Sequence, residues 1–197
     1  MEKINIKKSV ILASSSPRRS ELLSAAGVDF TVDAADIDEN IAITDPATLV
    51  EELSRRKAHA VCDRHPGCII IGADTVVAYD DMILGKPKDE EDAVRMLKEL
   101  SGRTHSVLTG VTLICTDDAG GVMKETTFHE STSVTFHSLG TEQIREYVAT
   151  GEPMDKAGSY AIQGKGAALI ASIDGDYENV VGLPVKRLLD TLLTNYL

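Results

Sequence analysis

Residues 68–79 read CIIIGADTVVAY. The unbroken apolar run at 69–73 is the pattern of a strand buried on both faces, because a strand with one wet face alternates instead. Residues 76–79 read as a neighbouring strand closed by the Asp80-Asp81 turn, which leaves Asp74 at the junction. A carboxylate at the end of so apolar a run is costly to bury without a partner. Open α/β sheets commonly place ligands at such strand ends. Asp74, followed by Thr75, is therefore the first candidate for chemistry, either taking a proton from water or holding a hard cation such as Mg²⁺. An Asp that merely caps a turn is the competing reading.

Moving outward, residues 10–13 form a short apolar strand candidate. Ser14-Ser15-Ser16-Pro17 then supplies a turn, an N-cap and a proline at the first helical position, so a helix is expected over 18–26. Asp45-Pro46 repeats that start signal. Val50, Leu53, Lys57, Ala60 and Val61 follow at helical spacing, which predicts a helix running to about His65. Asp89 opens a third helix with acidic residues in its first turn, and Gly102 ends it. Residues 104–115 and 122–136 read as a long hairpin, 141–150 as a fourth helix, 167–173 as a late strand and 184–196 as a terminal helix. Asp174 to Tyr177 and Gly182-Leu183-Pro184 read as a turn and a helix start. Strands and helices interleave early and a hairpin dominates the middle, so the expected class is α/β with a mixed sheet.

The chain of 197 residues suits one domain, 1–197, whose core must be mainly aliphatic because only 4% of residues are aromatic and Trp is absent. A formal net charge of −11 argues against general nucleic-acid binding, which needs an extended basic surface. Small phosphorylated ligands stay open to an acidic protein if a few Lys, Arg and free N–H groups converge. The first ten residues, with Lys3, Lys7 and Lys8, show no signal-peptide pattern, and no apolar run approaches the length of a membrane span. Cys62, Cys68 and Cys115 lack the paired spacing of a zinc or redox motif and read as reduced thiols. A cytoplasmic location follows as the expectation.

Several residues have the right chemistry for a phosphate chain. Ser14, Ser16, Arg18 and Arg19 bring hydroxyls and two guanidinium groups to a strand-to-helix turn, where the helix start adds partial positive charge. An ordinary Ser-Pro cap with solvent-facing arginines fits as well. Lys57 shares the apolar face of its helix, where lysine usually snorkels to water. Lys86 stands between Gly85 and Pro87, residues that stiffen a loop and aim its side chain. Glu39 lies in the acidic run Asp36-Ile37-Asp38-Glu39, either a second metal ligand or a solvated loop. Gln163, near the end of the segment from Asp155 to Gly164, can both donate and accept, as a base edge requires; an exposed glutamine in a glycine-rich connection is its plain alternative.

Taken in order, six or seven segments resemble the Maf family of nucleoside triphosphate pyrophosphatases, the septum formation inhibitor-like proteins. They are Ser14 to Arg19, Ser54-Arg55-Arg56-Lys57-Ala58, Gly72 to Thr75, Gly85-Lys86-Pro87, Ser101-Gly102-Arg103-Thr104-His105, Asp155 to Gly164, and Val180 to Pro184. Ser54 departs from the usual alanine. The resemblance implies two lobes about a long twisted mixed sheet with a central cleft, related to inosine triphosphatases. It implies attack of water on the α-phosphorus, with Asp74 as proton acceptor or metal organiser and Glu39 as a further Mg²⁺ or Mn²⁺ ligand. Arg18, Arg19, Lys57 and Lys86 would hold the triphosphate. The contexts of Thr75 and Gln163 resemble the branch preferring dTTP and UTP, with modified pyrimidine nucleotides also open. A homodimer is implied too. A regulator of septum formation that binds nucleotide without essential hydrolysis is the alternative, and a nucleotidyltransferase ranks last.

Overall fold

The fold is described from a computed structural model over residues 6–196; Lys3 lies outside them. Three strands make its first part: β1, Val10–Leu12; β2, Thr31–Val32; and β3, Ile69–Tyr79. β1 pairs in parallel with both of the others, Val10 opposite Ile69 and Ile11 opposite Thr31. β4, Met82–Leu84, folds back antiparallel on the end of β3. β5, Thr104–Thr116, and β6, Val122–Phe136, are the two long strands, and β7, Ile170–Asp174, runs antiparallel to β6. The sheet order is β2-β1-β3-β5-β6-β7 with β4 attached to β3. The sheet is therefore mixed, as expected.

The helices are α1, Pro17–Ala25; α2, Pro46–His59; α3, Glu90–Leu100; α4, Thr141–Val148; α5, Tyr177–Val181; and α6, Val185–Asn195. The cap signals hold where they were strongest: Asp45 accepts from the Thr48 N–H and Asp89 from the Asp92 N–H. α2 stops at His59 rather than near His65, and the chain tightens into a 3-10 turn at Cys62–Arg64. β3 also departs from expectation. It is one strand of 11 residues, with Asp74 inside it rather than at a junction between two strands. Polarity at Asp74 and Thr75 changes the surroundings of a strand without ending it, since both residues accept extended backbone. The late strand begins at Ile170 because Gly164–Leu169 forms a 3-10 turn instead.

Two compact units emerge. The first holds the described residues through Asp74, Thr109–Glu130, and those from Gly182 onward; the second holds Thr75–Leu108 and Ser131–Val181. In the first unit the strand alternation separates two apolar clusters. Val10, Leu12, Ile69 and Ile71 pack with Leu23, Leu188 and Leu192 of α1 and α6, whereas Ile11 and Ile70 pack with Ala58 and Val61 at the end of α2. Both faces are covered, which is why the run at 69–73 is continuously apolar. The second unit has its own core, in which α3 and α4 contribute Leu97, Leu100, Ile144 and Val148 beside Val134 and Phe136.

Candidate active site

Asp74 owes its position to the period of the strand. Ile70, Gly72 and Asp74 share the face of β3 that meets α2, because successive side chains alternate. Gly72 brings the two together. A Cβ there would collide with the Ser54 carbonyl oxygen and come within 2.8 Å of the Ala58 nitrogen. Gly110 of β5 does the same a turn earlier, where a Cβ would overlap the Val50 carbonyl and lie 2.7 Å from the Glu51 nitrogen. Helix α2 thus rests directly on strand backbone, and Lys57 reaches Asp74.

The Lys57 Nζ lies 2.6 Å from Asp74 Oδ1 and 2.7 Å from Glu39 Oε1. Asp74 is 8% exposed and Lys57 9%, so this is a buried pair to which an exposed glutamate adds a second carboxylate. Leaving either charge unpartnered at such burial would cost several kcal/mol, roughly 3–5. The snorkelling expected of Lys57 does not occur. A nearby hydroxyl chain steadies the helix: Ser54 Oγ donates to the Glu51 carbonyl and lies 2.9 Å from Thr112 Oγ1, which is 2.9 Å from Thr127 Oγ1. Ser54 therefore has partners of its own.

The turn after β1 supplies positive charge. Arg19 Nη1 donates to Ser14 Oγ at 3.0 Å, and Arg19 Nε donates to the Gly182 carbonyl at 2.9 Å. Ser14 Oγ also accepts from the Ser16 N–H at 3.3 Å. Burial lowers the pKa of the Arg19 guanidinium; the nearby Asp74 carboxylate opposes that, Arg18 adds to it, and Glu39 opposes it more weakly. Arg19 is thus not a solvent-facing arginine. Arg18 is half-buried beside it, and Ser16 is the helix N-cap residue, although its side chain makes no capping bond.

Asp74 and Glu39 offer the hard carboxylate oxygens that Mg²⁺ takes, since it commonly binds one or two protein carboxylates and completes its shell with phosphate oxygens and water, while here both carboxylates meet the Lys57 ammonium. Among the described residues no group of three or more His, Cys, Asp or Glu forms a closed cage. Glu39 and Asp74 are the residues that would hold such an ion, with the remaining ligands coming from a substrate.

Thr75, Lys86 and Gln163 belong to the second unit. Thr75 is half-buried on β3, while Lys86 and Gln163 are exposed. The Gly85 carbonyl accepts from the Gly158 N–H at 3.1 Å, which ties the Lys86 loop to the segment from Asp155 to Gly158. In that segment Lys156 Nζ binds the Glu152 carbonyl and Asp155 Oδ1, so its charge is spent on the local turn. Sequence reasoning missed Gly110 and the Ser54–Thr112–Thr127 chain. A glycine inside the apolar run of β5 was the available signal for close backbone approach.

The Maf-like protein family model matches residues 9–195. A dTTP/UTP pyrophosphatase of Symbiobacterium thermophilum is 55% identical to this chain, covering 93% of it and 92% of that protein. Proteins of the same name from Agathobacter rectalis and Bacillus cytotoxicus are each 52% identical, covering 93% and 94% of this chain and 95% and 94% of their own. Among solved structures, a HAM1 protein from Coxiella burnetii superposes with a TM-score of 0.50 at 16% identity, over 95% of this chain and 98% of that one, a likeness of fold. With a family model spanning nearly its full length and relatives above half identity, the chain belongs to the Maf-like protein family.

Proposed function

We propose that this chain hydrolyses dTTP and UTP to the nucleoside monophosphate and pyrophosphate. The observation that carries the reading is the buried Asp74 carboxylate paired with Lys57 and joined by Glu39. The names of relatives at about half identity support the substrate and the reaction. In the reaction, the oxygen of water forms a bond to the α-phosphorus while the bond to the α,β-bridging oxygen breaks. Asp74 accepts the proton of that water, and pyrophosphate leaves with the bridging oxygen.

Such a displacement depends mainly on positioning and charge. Arg18, Arg19 and Lys57 offset phosphate charge, with Ser14 and Ser16 lending hydroxyls at the same turn. Lys86 adds a further cation, and Thr75 and Gln163 set the base preference. Mg²⁺ or Mn²⁺ held by Glu39 and Asp74 would polarise phosphate oxygens when bound. The cytoplasmic location rests on the unpaired cysteines and the lack of a signal-peptide pattern, and the homodimer on the family resemblance alone.

The test is a panel of nucleoside triphosphates with Mg²⁺, with products separated and identified. dTMP or UMP with one equivalent of pyrophosphate is expected, fastest for dTTP and UTP. Release of inorganic phosphate, or a nucleotidyl group found on an added acceptor, would refute the reaction. Binding without turnover would favour the regulator of septum formation.

A further inference from the structure

The loop that carries Gln163 is clasped by a residue that no motif singles out. Glu152, at the start of the 3-10 turn Glu152–Asp155, turns its carboxylate toward residues 164–166. Its Oε1 accepts from the Gly166 N–H at 2.9 Å and its Oε2 from the Lys165 N–H at 3.1 Å. Tyr147 Oη donates to the same Oε1 at 3.0 Å and itself accepts from the Ala161 N–H at 3.2 Å. The backbone on both sides of Gln163 is thereby fixed, directly by the carboxylate after it and through the phenol before it. Tyr147 is 6% exposed within the core of the second unit, so the clasp is anchored in packed side chains.

The glycines of Gly164-Lys165-Gly166 fit the clasp. Gly164 has φ +74°, and a Cβ on it would stand 2.7 Å from Glu152 Oε2; a Cβ on Gly166 would meet Tyr147 Oη at 2.6 Å. Burial pushes the Glu152 pKa up, but the two N–H groups, the phenol and nearby Lys156 outweigh it, so the carboxylate is ionised at neutral pH. Charge-assisted bonds of this kind are about twice as strong as neutral ones. An amide at the tip of a loose loop would accept many base edges, whereas one on a fixed backbone discriminates among them.

We propose that Glu152 is a positioning residue for base selection, holding the 163–166 loop so that Gln163 is presented in one orientation. The proposal rests on the reading of Gln163 as the base-contacting residue. Three variants, Gln163→Ala, Glu152→Ala and Glu152→Gln, are compared by kcat and KM on dTTP and on dATP, together with hydrogen exchange at the Lys165 and Gly166 amides. Glu152→Ala is expected to lower the pyrimidine-to-purine ratio of kcat/KM by roughly tenfold, as Gln163→Ala does. The change should fall on KM for dTTP, with kcat much less affected. Amide exchange should quicken by about tenfold, and the Glu152→Ala/Gln163→Ala double variant should lose nothing beyond Gln163→Ala. Glu152→Gln keeps one acceptor oxygen and should fall between wild type and Glu152→Ala on both readouts; it carries the test if the alanine variant does not fold. A ratio unchanged in both Glu152 variants but lowered in Gln163→Ala would overturn the clasp and leave the base reading intact. A ratio unchanged in Gln163→Ala would remove the base reading and the clasp's function together.

Discussion

The two units bury polar groups of different kinds. Among the described residues, every buried charged side chain, namely Arg19, Lys57 and Asp74, lies in the first unit, alongside the hydroxyls of Ser14, Ser54 and Thr112. The polar residues buried in the second unit are His105, Thr132, Ser159 and Asn179, all neutral. His105 stays neutral because burial lowers its pKa to about 4. It packs edge-on against Phe136 and Tyr160, and its Nε2 lies 2.8 Å from Tyr160 Oη. Burying charge is costly, and a fold tolerates it where the charges have work to do. Among the described residues, the charged groups proposed for the phosphate chain are thus buried in the first unit, whereas the second unit buries neutral polar groups and keeps Lys86 and Gln163, its proposed substrate residues, exposed.

The largest effect that would sharpen this contrast is expected at Asp74. Asp74→Asn keeps shape and one hydrogen bond but removes the proposed proton acceptor, so kcat for dTTP should fall by about 10³ with KM little changed. Steady-state kinetics decides it, and a raised KM with intact kcat would make Asp74 a binding residue only. Next is Gly110→Ala, whose methyl group would force α2 off the sheet. A loss of about 3 kcal/mol in urea denaturation is expected, along with a drop in kcat because Lys57 travels with the helix. An unchanged midpoint would mean that α2 is not held by close backbone approach.

The third prediction concerns the neutral core of the second unit. The folded-state pKa of His105, about 4, lies below the 6.5 of the unfolded chain, so between these values the unfolded state binds the extra proton. Stability from this residue is full above pH 6.5 and declines as the pH falls toward 4. Between pH 7 and pH 5 that amounts to about 2 kcal/mol. His105→Phe should remove this part of the pH dependence, even though Tyr160 loses a partner. Equal slopes in the two proteins would show that His105 carries no proton-linked stability. The smallest effect is expected for Ser54→Ala, about 1 kcal/mol from chemical denaturation, since Thr112 keeps its bond to Thr127.

Much of this was legible because it is local. Asp45 and Asp89 announced their helices, and those helices begin where their side chains take the orphan N–H groups. Asp74 was conspicuous as a carboxylate in an apolar run, yet its run was misread as two strands. Lys57 shows the limit more clearly. Helical spacing put it on the buried face, and general behaviour then suggested snorkelling; Gly72 and Gly110, on two strands far apart in sequence, removed the room for that. The end of α2 and the start of β7 were displaced by a C-terminal turn and by the Glu152 clasp, neither of which leaves a periodic trace.

By itself, the order of residues along this chain determined the alternation that buries β1 and β3 on both faces, the helix starts, and the family to which the chain belongs. These depend on near neighbours and on the composition of short segments. Which groups meet was decided only by the folded molecule. Lys57 takes Asp74 and Glu39, Arg19 takes Ser14 and the Gly182 carbonyl, and Glu152 takes two amides and a phenol. A buried charge must find its partner across the packing of separate elements, and that packing turns on distances of an ångström set by where a side chain is missing.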